Sequence, residues 1–474
     1  MRAVLLSTYE LGRQPFGLAS PAAWLRAAGA DVRLVDASRQ RVEDAVLGGA
    51  DLIGFHLPMH TATRLALPLL ARARRLAPGA RLCAFGLYAP LNAPQLVEAG
   101  VDHVLGVEFE ADLVALAQSL DGDRKAGGPR ARGERIAGAR DGEVKAAGPR
   151  AARTPLPRLA FHVPDRRGLP PLDRYAQLVI STGRRLTAGY TEASRGCKHR
   201  CRHCPIVPVY DGQFRVVPVD VVVADVAQQV EAGARHVTFG DPDFFNGITH
   251  ARRVVRAFAA RVPGTTYDVT IKVEHLVKHA SDLPLLRETG CVFVTSAVES
   301  IDDRVLGALQ KGHTRRDAER AVALCRDAGL TLVPTFVPFT PWTTPDGYLD
   351  LLEWIAEKDL VEHVAPVQLV IRLLLTSGAP LLGDPVVRAV AAPFDRKRLV
   401  HPWAHPDPAL DALQRDLEVM VAASAHEPRA AVFDGVRALA HERLRGERLP
   451  PRGVVAGAVR TRAEVPWLDE PWYC

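Results

Sequence analysis

The first 120 residues alternate short apolar runs with longer stretches whose apolar positions recur at helical spacing. The runs AVLLS (3–7), DVRLVDA (31–37), DLIGFHL (51–57), RLCAFGLY (81–88) and VDHVLGV (101–107) predict five strands. Ala19–Ala28, Arg41–Leu47, Ala62–Leu76 and Leu91–Ala99 predict the intervening helices, the first stopping near Gly29. Strands alternating with helices imply a parallel sheet covered on both faces. Ligands of such sheets sit at the carboxyl ends of the strands.

The alternation breaks off at 121–153, a stretch rich in Gly, Pro, Ala and Arg. It holds an imperfect repeat, DGDRKAGGPRAR from 121 and DGEVKAAGPRAAR from 141. Two copies of a polar segment cannot bury a core, so residues 121–156 are expected to be a disordered linker between domains. The alternation resumes near 180. LTAGYTEAS (186–194), RHVTFGD (235–241), TYDVTIKV (266–273), CVFVTSAVES (291–300), TLVPTFVPF (331–339) and HVAPVQLVIRLLL (363–375) predict strands, with a helix over Val219–Ala232. These six βα units predict an incomplete barrel within 157–395. Residues 396–474 are Pro- and Arg-rich, carry a predicted helix at Pro408–Ala423, and are expected to form a cap or tail.

Charge changes this picture little. The net charge of +6 raises nucleic acid as a partner. Residues 121–153 contain nine Lys/Arg and five Asp/Glu, however, so the linker holds +4 of it and the rest of the chain +2. No nucleic-acid partner is expected. No apolar run of about 18 residues suggests a membrane span. The opening MRAVLLSTYELG is expected to be a first strand and not a signal peptide. A cytoplasmic protein is expected. The seven cysteines, at 83, 197, 201, 204, 291, 325 and 474, are odd in number with three bunched together. That pattern fits a metal site in a reducing compartment better than a disulfide framework.

The bunched cysteines lie in RGCKHRCRHCP (195–205), spaced Cys197-x3-Cys201-x2-Cys204, directly after the first strand of the second domain. Iron–sulfur clusters take thiolates as ligands. With only three cysteines close, one iron of a [4Fe–4S] cube would lack a protein ligand and could take a small molecule through amino and carboxylate groups. Zinc on three cysteines plus His199 or His203 is the alternative. Both histidines lie inside the loop, where reaching the same ion would be strained. Cys83, Cys291 and Cys325 fall in core patterns.

Together these residues resemble the radical S-adenosylmethionine superfamily. The resemblance implies a [4Fe–4S] cluster on Cys197, Cys201 and Cys204 that reductively cleaves S-adenosylmethionine to a 5′-deoxyadenosyl radical. The radical would act on a substrate the sequence does not name. FGDPDFF (239–245) is similar to the family's Gly-Gly-Glu segment, which implies Gly240, Asp241 and Asp243 as holders of the cofactor's amino group. SAVESIDDRVLGALQKGHT (296–314) is similar to stretches of members with an N-terminal cobalamin-type domain, implying Glu299 and Ser300 at the ribose or methionine end. Glu274, in the VEHL of the third strand, is a further candidate, and His203 would lie near adenine. The resemblance also implies the fold, a flavodoxin-like, cobalamin-binding-like sheet over 1–120 and a partial (β/α)6 TIM-like radical SAM barrel.

In the first domain FGLYAP (85–90) and GVEFE (106–110) resemble cobalamin-binding segments, but no Asp-x-His-x-x-Gly motif supplies a lower cobalt ligand. Cobalamin binding and a degenerate scaffold both stay open. A reductant such as flavodoxin or ferredoxin is the implied partner. The terminal VPWLDEPWYC (465–474) resembles the start of the Cys-Cys-Ala-Glu-Pro or Cys-selenocysteine-Ala-Glu-Pro tails of one radical SAM group. A truncation after Cys474 at a selenocysteine codon is the corresponding expectation. Set against the enzyme reading is a non-catalytic zinc or iron–sulfur binding or sensor protein.

Overall fold

A computed structural model of the chain describes residues 1–125, 159–181, 183–449 and 465–469. Strand β1 (Arg2–Ser7) is exposed only at Arg2, as a strand flanked by helices on both faces must be. It pairs in parallel with β2 (Asp31–Asp36) and β3 (Leu52–His56). With β4 (Arg81–Phe85) and β5 (His103–Val104) the order is β2-β1-β3-β4-β5, the flavodoxin-like order. Alternate residues feed two cores. Val4, Leu6, Ile53 and Phe55 pack on one face, and Ala3, Leu5, Leu52 and Phe85 on the other. The covering helices are α1 (Phe16–Ala27), α2 (Asp44–Gly48), α3 (His60–Leu76), α4 (Tyr88–Leu91), α5 (Ala93–Glu98) and α6 (Glu110–Lys125). Helix α6 was not expected. Glu110 and Asp112 in its first turn suit the helix N-terminus, and Leu113, Leu116 and Ala117 bury one stripe. It runs five residues into the expected linker; the remainder, 126–156, lies outside the described residues.

The second sheet has the order β13-β12-β11-β10-β7-β6-β14. The elements of this domain begin with β6 (Gln177–Ser181), β7 (Arg184–Thr191), β8 (Ser194–Gly196), α7 (Val207–Tyr210), β9 (Phe214–Val216), α8 (Val219–Glu231) and β10 (His236–Phe239), β8 and β9 pairing only with each other. They continue through α9 (Ile248–Arg261), β11 (Thr266–Thr270), α10 (Val273–Lys278), α11 (Leu283–Glu288), β12 (Cys291–Glu299), α12 (Asp303–Leu309), α13 (Arg315–Asp327), β13 (Thr331–Phe336) and α14 (Pro345–Glu357). The carboxyl-terminal part supplies α15 (Pro385–Val390), α16 (Pro408–Ala423), α17 (Arg429–Arg445) and β14 (Trp467–Leu468). Strands β7, β10, β11, β12 and β13 are mutually parallel. Strands β6 and β14 add an antiparallel edge that the sequence pattern did not suggest. Asp469 secures it by accepting from the Gln177 backbone N–H at 2.5 Å and pairing with Arg185.

Two expectations need correction. The predicted strand at 363–375 is instead a 3-10 turn at Pro366–Leu369 followed by one parallel bridge, Phe339 to Arg372. Pro366 lacks the N–H a ladder needs, and the Arg372 guanidinium turns away onto Trp403 and Asp411. Strand β11 ends at Thr270, so Glu274 stands in the first turn of α10 and not on a strand.

One face of the half-barrel stays open. On β12 and β13 the half-buried positions Thr295, Ala297, Val333 and Thr335 alternate with buried ones, and the register sets Thr295 beside Val333 and Ala297 beside Thr335. Among the described residues no helix is long and apolar enough to cross a membrane.

Candidate functional site

The cysteine loop is an excursion closed at its base by the β8–β9 hairpin, in which Ser194, Arg195 and Gly196 face Val216, Arg215 and Phe214. Gly196, just before Cys197, has φ +74°, and a Cβ there would lie 2.5 Å from the Tyr210 ring and 2.6 Å from the Gln213 carbonyl oxygen. Only glycine fits this close approach.

Two strand ends hold the loop from opposite sides. Past β10, the buried Asn246 donates to the Gly196 carbonyl (3.3 Å) and accepts from the Lys198 backbone N–H (3.3 Å). On the other side the Arg202 backbone N–H donates to the Leu309 carbonyl (2.9 Å), and its guanidinium reaches the Ala308 carbonyl and Asp384. His203 meets Glu299 Oε1 at 3.1 Å. A carboxylate only accepts, so His203 donates from Nε2, and its Nδ1 is buried with no partner among the described residues.

Cys201 is buried, and Cys197 and Cys204 are half-buried. Burial pushes the Cys204 thiol up to about 12 and also raises that of Cys197. Thiolates here therefore need a nearby positive charge. Lys311 supplies part of it. It is only 3% exposed. Burial disfavours its charge, but Glu299 at 3.3 Å and then the Cys201 sulfur outweigh burial and raise it. Glu299 in turn is held down to about 2: burial works against the carboxylate, and Lys311 and His203 overcome it. Glu299 adopts φ +66° where the β12–β13 register shifts. Cys83, Cys291 and Cys325 are buried in the hydrophobic cores, as expected.

The remaining candidates divide. Gly240 lets Tyr190 cross the end of β10; a Cβ would lie 1.7 Å from the tyrosine oxygen. Asp241 turns back into the protein, accepting from Ser194 Oγ (2.5 Å) and the Ala193 backbone N–H (2.9 Å). Burial pushes its carboxyl up to about 7 despite these bonds. Asp243 Oδ2 faces His275 Nδ1 (2.6 Å) and His199 Nε2 (3.3 Å). Ser300 accepts from the Asp302 backbone N–H, a local turn. Glu274 is partly exposed at the barrel mouth beside Lys272 (3.0 Å). His199 was named only as a possible zinc ligand with the three cysteines, and Asn246, Arg202 and His275 were not singled out. Nothing in their local pattern marks them, because their partners are 48 to 182 residues away in the chain for Asn246 and Arg202.

The first domain docks beside the same loop. Arg195 Nη1 pairs with Glu110 (2.7 Å) and its Nε with Glu192 (3.0 Å). Glu108 accepts from Tyr210 (3.2 Å) and pairs with Arg215 (3.1 Å). The GVEFE segment at the carboxyl edge of the first sheet is thus engaged with the barrel domain. The tail cysteine, Cys474, lies outside the described residues.

Residues 191–355 match the Radical SAM superfamily model. Among curated proteins, the chain is 27% identical over 213 residues to ribosomal protein uS12 methylthiotransferase RimO of Methylococcus capsulatus, covering 40% of this chain and 48% of that one. It is 29% identical over 208 residues to tRNA-2-methylthio-N(6)-dimethylallyladenosine synthase of Sorangium cellulosum, covering 37% and 40%. The matches span less than half of these relatives' length. Among solved structures, the radical S-adenosylmethionine methyltransferase TsrM of Kitasatospora setae, with cobalamin and a [4Fe–4S] cluster bound, superposes with TM-score 0.58 at 19% identity, covering 76% of this chain and 70% of that one. The cobalamin-dependent S-adenosylmethionine radical enzyme OxsB gives TM-score 0.65 at 13% identity, covering 90% and 67%. At these identities the structural likeness speaks to the fold.

Proposed function

We propose that this chain, a member of the radical SAM superfamily through residues 191–355, holds a [4Fe–4S] cluster on Cys197, Cys201 and Cys204 and cleaves S-adenosylmethionine reductively. The observation that carries this is the three-cysteine loop at the carboxyl edge of the half-barrel, anchored on both sides, with no fourth cysteine near it among the described residues. Such a cluster, with one iron free of protein and one electron supplied by a reductant, would break the sulfonium S–C5′ bond, releasing methionine and a 5′-deoxyadenosyl radical.

The chain's own residues hold, orient and shield. Asn246, Arg202 and His203 keep the loop in one geometry. Lys311, kept charged by Glu299, offsets the negative charge of Cys201 and Cys204. His203 Nδ1, buried and without a partner among the described residues, suits a hydrogen bond to adenine. Glu274, half-exposed at the mouth, suits the ammonium of the methionine part. The open face around Thr295, Ala297 and Thr335 leaves room for the reacting partner. A small low-potential protein such as flavodoxin or ferredoxin would deliver the electron.

Methyl or methylthio transfer is the reaction class that the similar proteins suggest. Cobalamin, which the similar structures of TsrM and OxsB hold, stays outside the proposed steps.

Anaerobic reconstitution with iron and sulfide is expected to give about four irons per chain. Added dithionite and S-adenosylmethionine should then release 5′-deoxyadenosine, detected by mass spectrometry. Zinc in place of iron, or a full cluster without 5′-deoxyadenosine, would sink the proposal.

A further inference from the structure

We infer a second metal site, separate from the cysteine loop's thiols, formed by His199, Asp243 and His275. The three atoms that would bind are His199 Nε2, Asp243 Oδ2 and His275 Nδ1, and all lie within 4.8 Å of one another. Asp243 and His275 are each 1% exposed. Each of the three atoms is buried, and none makes a well-directed hydrogen bond in the described structure. The contacts of 3.3 Å and 2.6 Å bring both ring nitrogens to the same carboxylate oxygen of Asp243. Buried polar atoms left this way are costly unless something else occupies their lone pairs. That the unpartnered atoms are also the convergent ones points to a cation between them.

The surroundings are built for a metal. The other Asp243 oxygen is held by the backbone N–H groups of Phe245 (3.3 Å) and Lys272 (3.4 Å), which fixes the carboxylate's direction. His275 sits in the short helix α10 with its ring 4.6 Å from that of His199. His199 Nδ1 lies 3.6 Å from Glu274 Oε2 and 3.2 Å from Lys272 Nζ. Lys272 is itself held by Glu274, so His199 has two options. In this structure Nδ1 accepts from Lys272, with Glu274 beyond hydrogen-bond distance; the other arrangement carries the proton on Nδ1, turned toward Glu274, and frees Nε2. Metal binding selects the second, in which an outer carboxylate orients a ligating histidine.

Two imidazole nitrogens and one carboxylate oxygen suit a divalent ion of the zinc or iron(II) class, with a position left open. The ion would tie the cysteine loop, through His199, to the ends of β10 and β11. This inference does not depend on S-adenosylmethionine chemistry.

The test uses cluster-loaded protein given one equivalent of zinc and then desalted. About one zinc per chain should be retained beside the irons, and its K-edge absorption should show a nitrogen/oxygen shell at about 2.0 Å without sulfur. His275→Asn and Asp243→Asn should lose the zinc and keep the irons, while Glu274→Gln should weaken zinc binding about 10- to 100-fold. Failure to retain zinc would overturn the site. So would a sulfur shell at about 2.3 Å, which places zinc on the cysteines. If the Asp243 and His275 variants fail to fold, as judged by circular dichroism, the wild-type absorption spectrum and His199→Asn decide. Unchanged zinc in His199→Asn would also refute the assignment.

Discussion

His203, set between the second and third cysteines of the loop, meets the same Glu299 oxygen that pairs with Lys311. The strand end of β12 therefore controls both where the cysteine loop sits and which charge lies beside its sulfurs. Lys311 and Glu299 are both nearly sealed from solvent.

Glu299→Gln leaves the Lys311 ammonium buried without a counter-charge. The expected loss of stability is about 3–5 kcal/mol. Lys311→Met leaves the buried carboxylate with His203 alone and should also be destabilising. The double variant should lose less than the sum, since neither charge is then left alone. Denaturant unfolding of the anaerobic protein, with and without iron, checks this. Additive losses would mean that the pair is not coupled.

Replacing any one of Cys197, Cys201 and Cys204 by Ala should reduce bound iron sharply after reconstitution, and 5′-deoxyadenosine with it. Cys291→Ala and Cys325→Ala should leave the iron content unchanged, because both thiols sit in the apolar core. Iron and sulfide analysis separates the two groups. Equal loss in both would argue against the three-cysteine site.

Asp241 should make stability depend on pH in an unusual direction. In the folded chain burial raises its carboxyl to about 7, whereas in the unfolded chain an aspartate ionises near about 3.9. Between these values the unfolded state has released a proton that the folded state keeps. Asp241 therefore contributes falling stability as pH rises from about 4 to 7. Asp241→Asn should flatten that part of the curve, read as melting temperature against pH relative to wild type. An unaltered slope would show that Asp241 is ionised in the fold.

Arg195→Met should loosen the docking of the two domains. It leaves Glu110, 1% exposed, and Glu192 without their cation. A cost of about 3–5 kcal/mol is expected, and Arg195→Lys should recover only part of it, since a single ammonium cannot span both acids as the guanidinium does. Limited proteolysis should find new cuts near 159–176 in Arg195→Met. A wild-type digestion pattern with unchanged stability would count against this role.

Much of the architecture was legible along the chain because it is local. Strand and helix periods in β1 to β5, and from β7 to β13, follow from burial on two faces, and the spacing of Cys197, Cys201 and Cys204 is a property of eight consecutive residues. The same local signal failed where context overrides it. HVAPVQLVIRLLL has a strand's composition, yet Pro366 and the outward pull on Arg372 leave one bridge. Strand β14 is too short to announce itself, and exists because β6 offers an edge.

What the sequence by itself determined is therefore the alternation, the order of the two parallel-sheet domains and the three-thiol loop. Tertiary structure alone decided which charged groups meet at that loop. Asp241 and Asp243 stand two residues apart in one segment, yet one turns toward Ser194 and the other toward His199 and His275. Lys311 reaches Glu299 across twelve residues, and His203 reaches it across ninety-six. Such pairings depend on strand register and on how deeply each group is withdrawn from water, and neither is written in the spacing of residues.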